Sequence, residues 1–148
     1  MSLEEEDVSR QNLSKRLPHL QNPSFWASFL HAANGIGYAW RSQRNMRVHV
    51  LATALVGLAV WGLRLPPTET AVVILAVILV IGTEMINTAI ETVVNMVSPE
   101  YRESARIAKD VAAGAVLVAS IGAVLVGCCI IVPHLTWPEA GKWLLRIK

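Results

Sequence analysis

Residues 71–95 read AVVILAVILVIGTEMINTAIETVVN. An uninterrupted apolar run from Ala71 to Ile81 passes, with no helix breaker, into a segment where Glu84, Asn87, Glu91 and Asn95 recur three, four and four residues apart. That spacing sets the four on one face of a helix. Followed outward, the helix extends from about residue 69 to residue 97, and ~20 residues suffice for one bilayer crossing. Two carboxylates on such a helix are costly, and groups of this kind face a bundle interior or a functional site. With a rise of 1.5 Å per residue from Ala71, Glu84 lies roughly 20 Å into a hydrocarbon core about 30 Å thick. Glu91 lies roughly 30 Å in, at the cytoplasmic boundary. The polar ladder therefore begins in hydrocarbon and ends in water, where a lipid headgroup can meet a charged, water-soluble reagent.

The rest of the chain fits the same solvent. Of 148 residues 53 % are hydrophobic and 16 % charged, against about 25 % charged in a soluble domain. A first apolar span is expected at about 48–65, stopped by Pro66-Pro67. A third is expected at about 104–132, ending at Pro133. Before them, Phe25, Trp26, Phe29, Ala32, Ala33, Ile36 and Trp40 recur at helical spacing, with Ser28, His31, Asn34, Arg41 and Arg44 on another arc. An aromatic face beside an arginine-rich end reads as a helix lying on a membrane surface. The expected fold is all-α and integral to a membrane: three transmembrane helices plus an N-terminal amphipathic surface helix. Residues 1–24 form a polar extension, where Ser2 and Glu5 match a capping box. Residues 25–135 form the membrane domain, and residues 136–148 an interfacial tail carrying Trp137 and Trp143.

Basic residues orient the spans. Arg41, Arg44 and Arg47 precede the first, and Arg102, Arg106 and Lys109 separate the second from the third. The N-terminus and the 98–109 loop are expected in the cytoplasm; Lys142, Arg146 and Lys148 run against that rule. The acidic Glu4–Asp7 run predicts no cleavable secretory signal. Cys128 and Cys129 are adjacent in an apolar stretch and imply no disulfide framework. There is no G-x-x-x-x-G-K-[ST] loop, and Gly35-Ile36-Gly37 has no strand before it. The histidines at 19, 31, 49 and 134 lack zinc-type spacing.

The third span opens with Lys109-Asp110, level with Glu91 and Asn95, and then carries Ala115, Ala119, Ala123 and Gly127 every fourth residue, a ladder expected to serve helix packing. Spacing leaves Lys109 and Asp110 as either an interfacial pair or part of a site. It also leaves catalysis, ion passage and binding open for the Glu84 ladder.

Taken together, Glu84-x-x-Asn-Thr-Ala-Ile-Glu91 followed by Ala108-Lys109-Asp110-x-Ala-Ala-Gly-Ala-Val116 resembles the signature of the prokaryotic diacylglycerol kinase family, which includes undecaprenol kinases. Asn34-Gly35-Ile36 and Arg44-Asn45-Met46-Arg47-Val48-His49 resemble its first helices, so the resemblance covers about residues 29–132. It implies a homotrimer of three-span subunits in the plasma (inner) membrane, with composite sites on the cytoplasmic side. It implies transfer of the γ-phosphate of ATP to a lipid hydroxyl, of diacylglycerol or undecaprenol, with Mg²⁺ and no nucleic acid partner. Carried onto matching positions, Glu84 would be the general base and Glu91 a metal ligand. Asn87 would help position the reacting groups, while Lys109 and Asp110 would contact the nucleotide. Two positions depart from the pattern. Gln43 stands where a metal-sharing glutamate is common, offering Mg²⁺ an uncharged oxygen. Asn95, counted with the nucleotide-binding residues, replaces a common aspartate. A small cation channel or transporter subunit, or a non-catalytic descendant of such kinases, are the other classes the residues allow.

Overall fold

The computed structural model describes residues 24–136, so the expected capping box, the polar extension up to residue 23 and the tail from residue 137 lie outside the described residues. The described chain is helical, with no strand. It forms α1 (Phe25–Ser42), α2 (Arg44–Leu63), α3 (Pro67–Val97) and α4 (Glu103–Thr136). Two compact units divide between Gly37 and Tyr38. α1 begins with the Ser24 hydroxyl accepting the Ala27 N–H at 3.3 Å, a side-chain cap for an otherwise orphaned donor. Its aromatics form an edge-to-face series, Phe25–Trp26 at 6.1 Å and Trp26–Phe29 at 6.5 Å, all three exposed. That is the apolar face expected of the amphipathic helix.

α2, α3 and α4 are each long and apolar enough to cross a membrane. Their burial is inverted relative to a water-soluble bundle. Leu55, Leu58, Leu75, Leu79, Leu117 and Leu125 are exposed, whereas Glu84, Asn87 and Thr88 are buried. Apolar groups outside and polar groups inside is the arrangement that a hydrocarbon solvent favours. The protein is a multi-pass membrane protein. Hydroxyls obey the same constraint: Thr53, Thr83, Thr88 and Thr92 each return a hydrogen bond to the carbonyl four residues earlier, at 2.8–2.9 Å.

Helix ends differ from the sequence expectation in two places. α2 stops at Leu63 rather than residue 65, because Arg64 adopts φ 52°, ψ 49°. Its N–H bonds the Trp61 carbonyl at 3.3 Å, and the Leu65 N–H bonds Val60 at 3.2 Å, the paired closure of a Schellman turn. Pro67 then opens α3 at its first helical position, where a missing N–H costs nothing. An arginine in the left-handed region carries roughly 1 kcal/mol of strain that glycine avoids. Arg64→Gly is therefore expected to raise the unfolding free energy in detergent by about 0.5–1 kcal/mol, read as a higher thermal midpoint.

At the other end, α4 does not stop at Pro133 but continues to Thr136. Proline forfeits its own N–H bond to residue 129, and the ring Nδ1 of the next residue, His134, lies 2.8 Å from the Ile130 carbonyl. Nε2 of the same ring lies 3.4 Å from the Glu69 carboxylate on α3. α3 and α4 form the most extensive helix pair, and α2 packs against both. The expected small-residue ladder is partly corrected here. The buried face of α4 runs through Ala112, Val116 and Ala119, while Ala115 is exposed. A 3.6-residue helix drifts off a strict four-residue repeat, so Ala115 falls beside the contact line.

Candidate active site

Three of the four ladder residues converge on the inner face of α3. Glu84 is fully buried (0 % exposed) and Asn87 nearly so. One turn on, the Glu91 carboxylate is clasped by two amides: Gln43 Nε2 donates to Oε2 at 2.8 Å, and Asn87 Nδ2 to Oε1 at 3.4 Å. Gln43 reaches α3 because it sits in the break between α1 and α2, extended at φ −106°, ψ 122°. A residue far away in sequence thus enters the site through a local backbone kink. The Glu91 carboxylate is half-buried.

Both Glu84 carboxyl oxygens and the Asn87 Oδ1 are buried without a hydrogen-bond partner among the described residues. Leaving such atoms unpaired costs about 1–3 kcal/mol each. Here three of them gather within one turn of a membrane helix. A site prepared for an external hydroxyl or cation accounts for that cost, whereas a purely structural network would have satisfied them. The donor chemistry also suits a hard divalent cation: carboxylate and amide oxygens, with no thiol or imidazole in the cluster. No group of three or more His, Cys, Asp or Glu side chains converges among the described residues. Amide oxygens and other ligands must therefore complete any metal shell built around Glu91.

The remaining predicted residues separate. Asn95 is exposed at the end of α3, where its Oδ1 accepts from Lys109 Nζ of α4 at 2.6 Å. The ladder thus ends on a cation. Asp110 is not gathered with the others. It projects elsewhere on α4 and pairs with Arg106 at 2.7 Å, and Arg106 is also bound to Glu103, which accepts the Tyr101 hydroxyl. Neighbouring helix residues point about 100° apart, and here Lys109 and Asp110 meet different partners. The pairing of Arg106 with Glu103 and Asp110 was not read from the sequence, although its i, i+3 and i+4 spacing was visible.

Comparison with known proteins supplies the remaining observation. The family model described as prokaryotic diacylglycerol kinase matches residues 30–131. The chain belongs to the prokaryotic diacylglycerol kinase family. Among its relatives, a diacylglycerol kinase of Synechocystis is 45 % identical over 114 residues, covering 76 % of this chain and 65 % of that protein. An undecaprenol kinase of Bacillus subtilis is 33 % identical over 111 residues, covering 75 % of this chain and 90 % of the relative. A diacylglycerol kinase of Escherichia coli is 32 % identical over 114 residues, covering 72 % and 93 % respectively. The chain thus spans slightly less than two thirds of the Synechocystis protein and most of the other two. All of Gln43, Glu84, Asn87, Glu91, Asn95, Lys109 and Asp110 fall inside the matched region. The names of these relatives are those of lipid phosphotransferases.

Proposed function

We propose that the protein is an ATP-dependent lipid kinase that transfers the γ-phosphate of ATP to the hydroxyl of a lipid alcohol, diacylglycerol or undecaprenol. The observation that carries this reading is the buried Glu84 carboxyl, unpartnered and followed along the same helix by Glu91 and the Lys109–Asn95 pair. Lipid hydroxyl and nucleotide phosphate approach such a ladder from opposite ends. The Glu84 carboxylate accepts the hydroxyl proton as the lipid oxygen bonds the γ-phosphorus. The bond from that phosphorus to the bridging oxygen breaks, and ADP departs with the electron pair. Asn87 positions the reacting groups, and the Lys109 ammonium and Asp110 contact the nucleotide. Glu91, with oxygens from Asn87 and Gln43, would hold Mg²⁺. That ion supplies neutralisation of phosphate charge.

Phosphoryl transfer relies chiefly on positioning and charge stabilisation, and this cluster offers a base, a metal-type carboxylate and a cation within a few helical turns. An ion path would have no use for the lysine that ends the acidic ladder. The working unit is proposed as a homotrimer with composite sites, in the plasma (inner) membrane. Residues 25–135 form its kinase domain, with residues 1–24 and 136–148 as flanking segments, and its N-terminus and site are cytoplasmic.

The test is transfer of labelled γ-phosphate from Mg-ATP by the purified protein, with diacylglycerol and undecaprenol offered in parallel. Phosphorylated lipid from either alcohol supports the reading; folded protein that binds Mg-ATP and phosphorylates neither overturns it. In the same assay Lys109→Met is expected to raise KM for ATP by about 10–100-fold, the worth of a hydrogen bond to a charged group of ~1.5–3 kcal/mol. KM for the lipid should stay unchanged.

A further inference from the structure

Of the four ladder residues, Glu84 alone has a side chain without any partner among the described residues: both its oxygens are buried and unpaired. The donors nearest to it are already committed. The Thr83 hydroxyl lies 2.9 Å from the carbonyls of Leu79 and Val80, and the Thr88 hydroxyl donates to the Glu84 carbonyl at 2.9 Å. The Asn87 amide donates to Glu91. On α4 the buried line is Ala112, Val116 and Ala119, which carry no side-chain donor. Between Asp110 and His134 that helix has no Asp, Glu, Lys, Arg or His. A carboxylate enclosed in this way must take its donor from α2 or from a ligand.

α2 carries one candidate. Its less exposed face runs through Gln43, Met46, His49, Thr53 and Val56, a spacing that keeps them on one side of a helix. Arg44 and Arg47, the other bases at this end, are exposed. The Gln43–Glu91 hydrogen bond pins α2 against α3, and the short connection from Leu63 to Pro67 makes the two helices antiparallel. Measured from that bond at 1.5 Å per residue, His49 lies about 9 Å along α2 and Glu84 about 10 Å along α3. The two therefore sit at nearly one level. A cavity between the three helices is bordered by both His49 and Val80, one turn from Glu84. The ring is within electrostatic reach of the carboxyl. It makes no hydrogen bond among the described residues; only the His49 carbonyl is engaged, by Thr53 at 2.8 Å.

We propose that His49 is the positioning residue of Glu84: in the reacting complex its ring N–H donates to one carboxyl oxygen, turning the other toward the lipid hydroxyl. An imidazole offers an N–H whether neutral or charged, so His49 keeps its own proton and transfers nothing. The bond is open in the structure described, and catalytic hydrogen bonds often tighten only around bound substrate. The proposal rests on the lipid-kinase reading for the identity of the hydroxyl.

Two measurements on the full chain in lipid nanodiscs test this. The first compares His49→Leu, which removes the donor, with His49→Gln, whose amide N–H reaches about as far. Ser120→Ala, which removes a hydroxyl bordering the cavity from α4, is the control. His49→Leu is expected to lower kcat for lipid phosphorylation by about 10–100-fold, the worth of a hydrogen bond to a charged group, with KM for ATP unchanged. His49→Gln should restore the rate to within about threefold of the unsubstituted protein. In a Glu84→Gln background, His49→Leu should cost less than about twofold, because a residue that acts through Glu84 has nothing left to act on. Equal losses in folded His49→Leu and His49→Gln, or the same factor lost with and without the Glu84 carboxyl, overturn the proposal. So does an unchanged His49→Leu beside a slow Ser120→Ala, which would move the donor to α4.

The second measurement needs no turnover. In protein labelled with ¹⁵N-histidine, the His49 ring signals are expected to move when the lipid alcohol is added with a non-hydrolysable ATP analogue, and to stay fixed in Glu84→Gln. A shift that persists in Glu84→Gln, or no shift in protein that phosphorylates the alcohol, overturns the proposal. Transfer that His49→Leu leaves intact sinks the pairing and spares the kinase reading. No transfer by the unsubstituted protein sinks the kinase reading. His49 signals that then still differ between unsubstituted and Glu84→Gln protein leave the pairing standing, and identical signals overturn it as well.

Discussion

Glu84→Gln is expected to lower kcat for lipid phosphorylation by about 10²–10⁴-fold, the range contributed by a positioned general base, with little change in KM for ATP. The substitution is nearly isosteric. It removes no intramolecular hydrogen bond, since neither Glu84 oxygen has a partner among the described residues. The carboxamide cannot accept a full proton from the attacking hydroxyl, so the loss should fall on the chemical step. Thermal stability in detergent should hold or rise slightly, because a buried ionisable group without a partner is replaced by a neutral one. The check is a kinetic comparison at saturating Mg-ATP together with a melting curve. Retention of more than about a tenth of the wild-type rate would remove Glu84 from the base role. A collapse of both rate and melting point would instead make it a packing residue.

Glu91→Gln should produce a different pattern. Its carboxylate is the charged centre of a cluster in which Gln43 and Asn87 already donate from their amides. Replacing it with a third amide leaves no anion beside the nucleotide end of the ladder. The concentration of Mg²⁺ giving half-maximal rate is expected to rise by about tenfold or more, and the rate at saturating Mg²⁺ to fall by about 10²-fold. Gln43 and Glu91 form a single hydrogen-bonded pair, so their effects should not add. Gln43→Ala together with Glu91→Gln is expected to cost little more than Glu91→Gln alone. Titration of activity against Mg²⁺, with Mn²⁺–nucleotide binding followed by electron paramagnetic resonance, reads both effects. A rate loss with an unchanged Mg²⁺ requirement would move Glu91 out of the metal role and into substrate positioning.

The two substitutions lie seven residues apart on one helix and are expected to separate by which reactant they disturb, Glu84 the lipid alcohol and Glu91 the metal–nucleotide. That division follows from depth. A carboxyl enclosed by apolar helices meets a lipid, and one at the helix end meets solutes.

Much of this was legible before any coordinates. Apolar length and charge depletion dictated three spans, because a membrane crossing leaves the backbone few alternatives to the helix. The three-four-four spacing of Glu84, Asn87, Glu91 and Asn95 dictated their shared face, because helical periodicity is local. Helix ends were less legible. Arg64 closes α2 in a left-handed turn that favours glycine, and α4 runs through Pro133 to Thr136. Both outcomes depend on what the neighbouring turn can donate or accept.

What tertiary structure alone decided is which ladder atoms are spent and which are left free. Sequence spacing treats Glu84 and Glu91 as equivalent rungs. Only the approach of Gln43 from the kink before α2 occupies Glu91, while the closure of α2 and α4 around α3 buries Glu84 with both oxygens unpaired. Likewise Lys109 and Asp110, adjacent in sequence, part company because one faces Asn95 across the helix pair and the other stays with Arg106 on its own helix.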